Sequence, residues 1–411
     1  MKTTLMTCGL VLILLCGVFA NTTSAQDSPD FASEYNRFSF DLHRTMTQDR
    51  ENENLVCSPW GVACVLGMLH AGASDEAAAE IDAVFDFSQM SQTQPDFLMD
   101  IPKSFQIGRP SERNGELIAA NSCWLHRDFD VLPEYKSDIT KQYRAAIETL
   151  DFNNPRQTVK RINQWCAEKT KNLIPNIVTL EDFDPSLQQQ LVLLNTVYFN
   201  GRWQLPFSKQ ATEKAPFHLA NGNTMQTNMM TKSYLFHYHA GKNYEAVRLH
   251  YRNNASMIVI LPNKDRTLAE MEAKLDSAAF ELICKNLELR KGTVKIPRFE
   301  FNSGFNSGNS LIPTLQQLGI NDIFSGEKQP LSKISDASIF YVTIMRQKAI
   351  IKVDEEGTIA TAATGGMGGG AYGGMPFEFT ADRPFLFVIR ENTTGAVLFI
   401  GRVHKPEKAR P

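Results

Sequence analysis

Glu355-Glu356-Gly357-Thr358-Ile359-Ala360-Thr361-Ala362-Ala363-Thr364 is the stretch on which the fold of this chain turns. At period two, Thr358, Ala360, Ala362 and Thr364 fall on one face of an extended segment and Ile359, Thr361 and Ala363 on the other. Both faces are small and uncharged, and no charged residue occurs from Gly357 to Phe377. Such a segment can slide between two existing strands, because it needs little lateral room and brings no ion whose burial costs several kcal/mol. An ordinary surface loop has no reason to avoid charge over that length. Beyond Thr364 the run Gly365-Gly366-Met367-Gly368-Gly369-Gly370-Ala371-Tyr372-Gly373-Gly374 cannot contribute core. It reads as an exposed, protease-accessible loop.

Working outward, β signals flank this segment at 340–353 before it and at 383–390 and 395–403 after it, the last two joined by the hairpin connection Asn392-Thr393-Thr394-Gly395. Further β signals lie at 244–249, 256–261 and 293–301. The run Leu191-Val192-Leu193-Leu194-Asn195-Thr196-Val197-Tyr198-Phe199 reads as a buried central strand. Helical patterns come earlier. Residues 29–48 carry Phe31, Tyr35, Phe38 and Leu42 at helical spacing, and 131–149 and 156–172 follow, the last with Val159, Ile162, Trp165 and Cys166 on one stripe. Asn54-Leu55-Val56-Cys57-Ser58-Pro59 reads as a short strand leading into Trp60 to Ala71, a helix apolar on nearly all sides and ending near Gly72. Helices early and strands late argue for an α+β fold.

Lys2 before an apolar run from Leu10 to Ala20 reads as a secretory signal, residues 1–25, with cleavage after Ala20 or Ala25; the expectation is a secreted, extracellular protein with no membrane span. No linker divides residues 26–411, which are expected to form one domain. With 42 Lys and Arg against 45 Asp and Glu, and no basic cluster, neither nucleic acid nor heparin is indicated as a partner. Cys57, Cys64, Cys123, Cys166 and Cys284 lack the density of a disulfide framework and read as buried apolar side chains. No G-x-S-x-G or H-E-x-x-H motif occurs, and the glycines at 365–370 lack the Lys-Ser/Thr of a phosphate loop. His237-Tyr238-His239 is an alternating surface pair rather than a metal site. No cofactor and no metal are expected, and no enzymatic activity.

The hinge-like segment resembles that of inhibitory serpins, and Phe379-Thr380-Ala381-Asp382-Arg383-Pro384-Phe385-Leu386-Phe387 is similar to the C-terminal signature of that family. Asn163-Gln164-Trp165, Asn200-Gly201-Arg202-Trp203, Met229-Met230 and Leu318-Gly319-Ile320 match as well, so the resemblance covers essentially the whole chain after the leader. It implies three β-sheets with about nine helices, and an exposed reactive-centre loop at about 355–377. The implied function is serine protease inhibition by a monomer acting as a suicide substrate: loop cleavage, a covalent acyl complex, then insertion of the loop into the main sheet.

Carried over residue by residue, the resemblance places a hinge at Glu355, Glu356, Gly357, Thr358, Ala360, Ala362, Ala363 and Thr364. Counting from Gly357 gives the reactive bond as Ala371-Tyr372; counting back from Pro384 puts it about two residues later, near Gly373. Ala371 suits an elastase-like or subtilisin-like target, and Tyr372 a chymotrypsin-like one. Arg298, Trp203 and Glu355 correspond to the breach at the top of the main sheet, where the ion pair could equally be an exposed one contributing ~0–1 kcal/mol. The shutter positions read Ser58, Gly61, Asn195 and Gln347 where the family usually has Ser, Ser, Asn and His. Gln can donate and accept as the His would, whereas Gly61 removes a hydroxyl. A non-inhibitory member (carrier, storage protein or chaperone) and an inhibitor of cysteine proteases are the alternatives.

Overall fold

The computed structural model describes residues 31–48, 50–85, 87, 97–104, 115–302, 310–356 and 375–406. The expected leader and residues 357–374 lie outside the described residues. The architecture is α+β, as expected. Among the described residues the α-helices are α1 (Phe31–Thr47), α2 (Pro59–Gly72), α3 (Asp75–Val84), α4 (Phe97–Ser104), α5 (Pro133–Tyr143), α6 (Pro155–Lys169), α7 (Leu268–Glu272), α8 (Ser277–Asn286) and α9 (Ile312–Gln317).

The main sheet has five strands in the order β10 (Phe299–Asn302), β11 (Val342–Val353), β4 (Leu191–Gly201), β2 (Gly115–His126) and β3 (Ala146–Leu150). β11 and β4 run parallel, with Gln347 opposite Asn195 and Ile351 opposite Phe199. β4 is apolar along nearly its whole length because both of its faces are covered. Leu191, Leu193, Val197 and Phe199 join the large core that holds α2, whereas Val192 and Leu194 join a second core with Trp124, Ile162, Trp165 and Cys166 under α6. Trp124 and Trp165 meet edge to face there, 5.7 Å between ring centroids. α2 is buried from Pro59 to Leu69, which is why it has no polar face; Ser58 caps it by accepting from Gly61 N, and Pro59 occupies the first turn.

The remaining strands follow one hydrogen-bonded path, β1 (Leu55–Cys57), β14 (Val397–Val403), β13 (Phe385–Glu391), β8 (Ala255–Pro262), β7 (Tyr244–His250), β6 (Thr224–Ala240), β9 (Glu288–Pro297) and β12 (Phe377–Thr380), with β5 (Glu213–His218) also on β6. β6 is the hinge of this path: its start pairs β5, its middle β9 and its end β7. The second and third sheets expected from the family are thus joined through one long strand.

Two expected elements are cut differently by the fold. The helical pattern at 131–149 ends at Arg144, whose backbone is left-handed (φ +50°), and Ala146–Leu150 pairs instead as β3 beside β2. The β signal at 293–301 is interrupted at Arg298, so that β9 and β10 belong to different sheets. The five cysteines among the described residues are free; burial pushes the thiols of Cys57, Cys64, Cys123 and Cys166 up to about 12, so they stay protonated and inert as the apolar reading expects.

His404, just past β14, is buried, and neither ring nitrogen has a hydrogen-bond partner among the described residues. Burial first, then the charge of Arg402, brings its pKa down from 6.5 to about 4. The folded ring stays neutral while the unfolded chain takes up a proton. The stability it allows is therefore complete above pH 6.5 and declines as pH falls toward 4, by at most about 1.4 kcal/mol per pH unit. We expect the urea midpoint to drop between pH 7 and pH 5, and His404→Leu to flatten that slope; an unchanged slope in the variant would refute this assignment.

Candidate functional site

The chain leaves β11 at Val353, beside the end of its parallel pairing with β4, and Phe377–Thr380 pairs as β12 in the other sheet. Asp354, Glu355 and Glu356 are held by three side chains and one backbone amide. Trp203 Nε1 donates to Asp354 O at 2.8 Å, and Phe207 N donates to Glu355 O at 2.9 Å. Arg298 forms an ion pair with Glu355, and Lys209 one with Glu356. Trp203 itself is fixed by stacking on Tyr251, 4.3 Å between centroids at 10°.

The Arg298 pair is not the exposed one that the sequence allowed as an alternative. The Glu355 side chain is only 2% exposed. Burial alone would raise its pKa, but hydrogen bonds from Thr212 and Arg298 outweigh that and hold it below the usual carboxylate range. Removing Arg298 would strand a buried carboxylate, at a cost of roughly 1–3 kcal/mol. The hinge residues Gly357, Thr358, Ala360, Ala362, Ala363 and Thr364 and the bond Ala371-Tyr372 lie outside the described residues.

Halfway down the seam the predicted shutter residues meet. Gln347 Nε2 donates to Asn195 Oδ1 at 2.9 Å, directly bridging β11 and β4, and also to Ser58 O at 2.8 Å. Its Oε1 accepts from Ser58 N at 2.8 Å. Ser58 Oγ donates to Leu398 O at 2.8 Å, so the N-terminus of α2 is tied to β11 on one side and β14 on the other. A Cβ on Gly61 would lie 2.1 Å from Asn195 Oδ1 and 2.7 Å from Gln347 Nε2. The absence of a side chain at 61 is therefore the condition for this amide network: Asn195 and Gln347 together fill the space that a Cβ there would need.

Two contributors escaped the sequence reading. Asn121 of β2 accepts from Asn195 Nδ2 at 2.7 Å and donates to Tyr143 O, extending the polar row across a third strand. Its signal was an Asn within an otherwise weak β pattern. Arg346 of β11 is gripped by both carboxylate oxygens of buried Asp182, on the connection between α6 and β4, and Lys348 donates to Asn176 O at 2.8 Å on the same connection. His237 lies beside His250, 5.5 Å between ring centroids, and among the described residues no group of three or more His, Cys, Asp or Glu side chains could hold a metal ion.

The family model described as serpin (serine protease inhibitor) matches residues 33–406. The chain belongs to the serpin family. Leukocyte elastase inhibitor A of Rattus norvegicus is 31% identical over 383 residues, 90% of this serpin and 97% of the relative. Iripin-3 of Ixodes ricinus is also 31% identical, over 86% of this chain and 89% of its own. Native protease nexin-1, solved with heparin, superposes with a TM-score of 0.78 at 25% identity, covering 92% of this serpin and 99% of that chain. The relatives include protease inhibitors, and the family is one of inhibitors rather than enzymes. The expectation of a secreted, extracellular protein is corrected: the leukocyte elastase inhibitors among the relatives are intracellular serpins, so the family match gives export no support.

Gly61→Ser in this serpin is expected to cost roughly 1–3 kcal/mol by overpacking. Combined with Gln347→His, which restores the family's usual pair, the loss should be partly recovered, giving a coupling of at least ~0.5 kcal/mol in a double-mutant cycle of unfolding midpoints. Additive losses would contradict the view that residues 61 and 347 share one space.

Proposed function

We propose that this serpin inhibits serine proteases as a suicide substrate, its loop being cleaved and then inserted between β4 and β11. The observation that carries this reading is the parallel β4–β11 seam lying at the exit of a segment free of charge from Gly357 to Phe377. A strand folding back from the end of β11 runs antiparallel to β11 and, because β4 is parallel to β11, antiparallel to β4 as well. Insertion thus replaces one parallel pairing by two antiparallel ones, each slightly more stable per residue. Every inserted residue also gains backbone hydrogen bonds, worth about 0.5–1.5 kcal/mol each.

The chemistry is that of an interrupted acyl transfer. The protease serine Oγ attacks the Ala371 carbonyl carbon, the bond to Tyr372 N breaks with a proton passing to that nitrogen, and an ester remains. Water must then hydrolyse the ester, using the protease's own base and oxyanion hole. Residues 357–371, extended at ~3.3 Å each, reach about 50 Å, enough to carry the acylated enzyme along the length of the sheet. Traction on the ester distorts the protease site before that second step. In this scheme Arg298, Trp203 and Glu355 hold the top of the seam closed, and Ser58, Gly61, Asn195 and Gln347 its middle, so that the uncleaved loop stays out. The protein acts as one domain and as a monomer.

Ala371 at the primary position suits a protease with a small pocket, elastase-like or subtilisin-like; the relatives named for leukocyte elastase inhibition agree in direction. The loop contains no Arg or Lys for a trypsin-like enzyme. Mixing the protein with elastase or subtilisin is expected to yield an adduct that survives denaturing electrophoresis, with release of a C-terminal peptide beginning at Tyr372. Thr358→Arg places a cation on the inserting strand and should convert adduct into cleaved protein alone. Clean cleavage of the parent protein without any adduct, across proteases of several primary specificities, would support a non-inhibitory serpin instead.

A further inference from the structure

Away from the seam, a groove of about 620 Å³ lies between the turn after β6, α7 and α8. Its walls are apolar, formed by Tyr244, Met271, Leu275, Ala279, Leu282 and Ile283. Leu282 stands at 58% exposure on α8, while Phe280 and Ile283 of the same helix are buried. A large apolar side chain is thus left beside a concave apolar wall, the form that small-ligand sites take. The size and the lining suit an unbranched hydrocarbon chain rather than a flat polar ring.

The charged residues lining the groove are unbalanced. Lys242, Arg266 and Lys274 contribute three cations, and Glu270 is the one acid. That acid is already engaged: Glu270 Oε2 accepts from Thr267 N at 2.9 Å in the capping box of α7. Arg266 lies 3.6 Å from Asp265, Arg266 and Lys274 act on Glu270 through space without a direct ion pair, and Lys242 forms no ion pair among the described residues. Long cationic side chains on the border of an apolar groove are placed to meet an anionic head whose tail is buried.

We propose that this groove binds a single-chain anionic amphiphile of the fatty-acid class, its tail along the apolar wall and its carboxylate held by Lys242, Arg266 and Lys274. A free acid fits better than a bilayer surface, because the apolar lining is mostly recessed and Leu282 is the one strongly exposed large apolar side chain in it.

The test uses the full chain, stripped of lipid and titrated with a dansyl-labelled fatty acid, with oleate and oleyl alcohol as competitors. Saturable one-site binding is expected, with oleate displacing the probe and the alcohol weaker by about tenfold or more, since a tenfold change is the effect of losing one modest charge interaction. Lys242→Glu with Lys274→Glu should weaken oleate about tenfold while the unfolding midpoint stays put, because both side chains are exposed. Ala279→Trp should fill the groove and abolish binding; should it disturb α8, the charge-reversal variant still decides. Absence of saturable binding below the micelle concentration, equal affinity for the alcohol, binding indifferent to both variants, or binding to anionic vesicles only would each overturn the proposal.

Discussion

The contact on which the rest of the molecule depends is the pairing of β4 with β11, two parallel strands whose side chains meet through the bond from Gln347 to Asn195. The elements around the main sheet either cover that seam, pin it, or leave from its end. α2 lies against one face of the sheet and the α6 core against the other, so β4 is apolar on both sides, whereas β11 turns Arg346 and Lys348 toward the α6 side. Arg346 and Lys348 of β11 bind the connection that follows α6, which ties the lower cover to one edge of the seam. Opening the seam therefore means breaking the backbone ladder between β4 and β11 together with a few named polar side-chain contacts.

Those polar contacts suit the closure that the proposed mechanism requires to yield. A buried amide such as Gln347 is costly to leave unpaired, so the shut state is well defined while its partners stay in place. An incoming backbone, unlike an apolar side chain, offers new donors and acceptors to the strands it separates. At the top, buried Glu355 is held by Arg298 and Thr212, and Trp203 binds the carbonyl of the residue before it. In the proposed mechanism the residues that anchor the chain leaving β11 also hold the strands beneath it closed.

Much of this was legible in the residues. β4 announced itself by an apolar run interrupted only at Asn195-Thr196 and α2 by the lack of any polar face, because both are consequences of burial on all sides. Chain-local chemistry set the β13–β14 hairpin. What escaped depended on partners far away in sequence. The Ala119-Ala120-Asn121-Ser122 portion of β2 has weak strand propensity of its own and is strand because β4 pairs along all of it, with β3 joining only at Ser122. Residues 146–150 continued a helical pattern until Arg144 turned left-handed and the sheet claimed them. Gly61 looked like the loss of a hydroxyl, and only the positions of Asn195 and Gln347 reveal it as a matter of space. The apolar run near the N-terminus was read as an export signal from composition alone, a reading that the relatives do not support.

The central claim is that the cleaved loop gains free energy by becoming a middle strand between β4 and β11. Nicking the loop with a protease that escapes trapping, then comparing the melting temperatures of cut and intact protein, tests it most directly. The account requires the cut form to melt well above the intact one; equal melting temperatures would mean that insertion releases no free energy, and the account would fail.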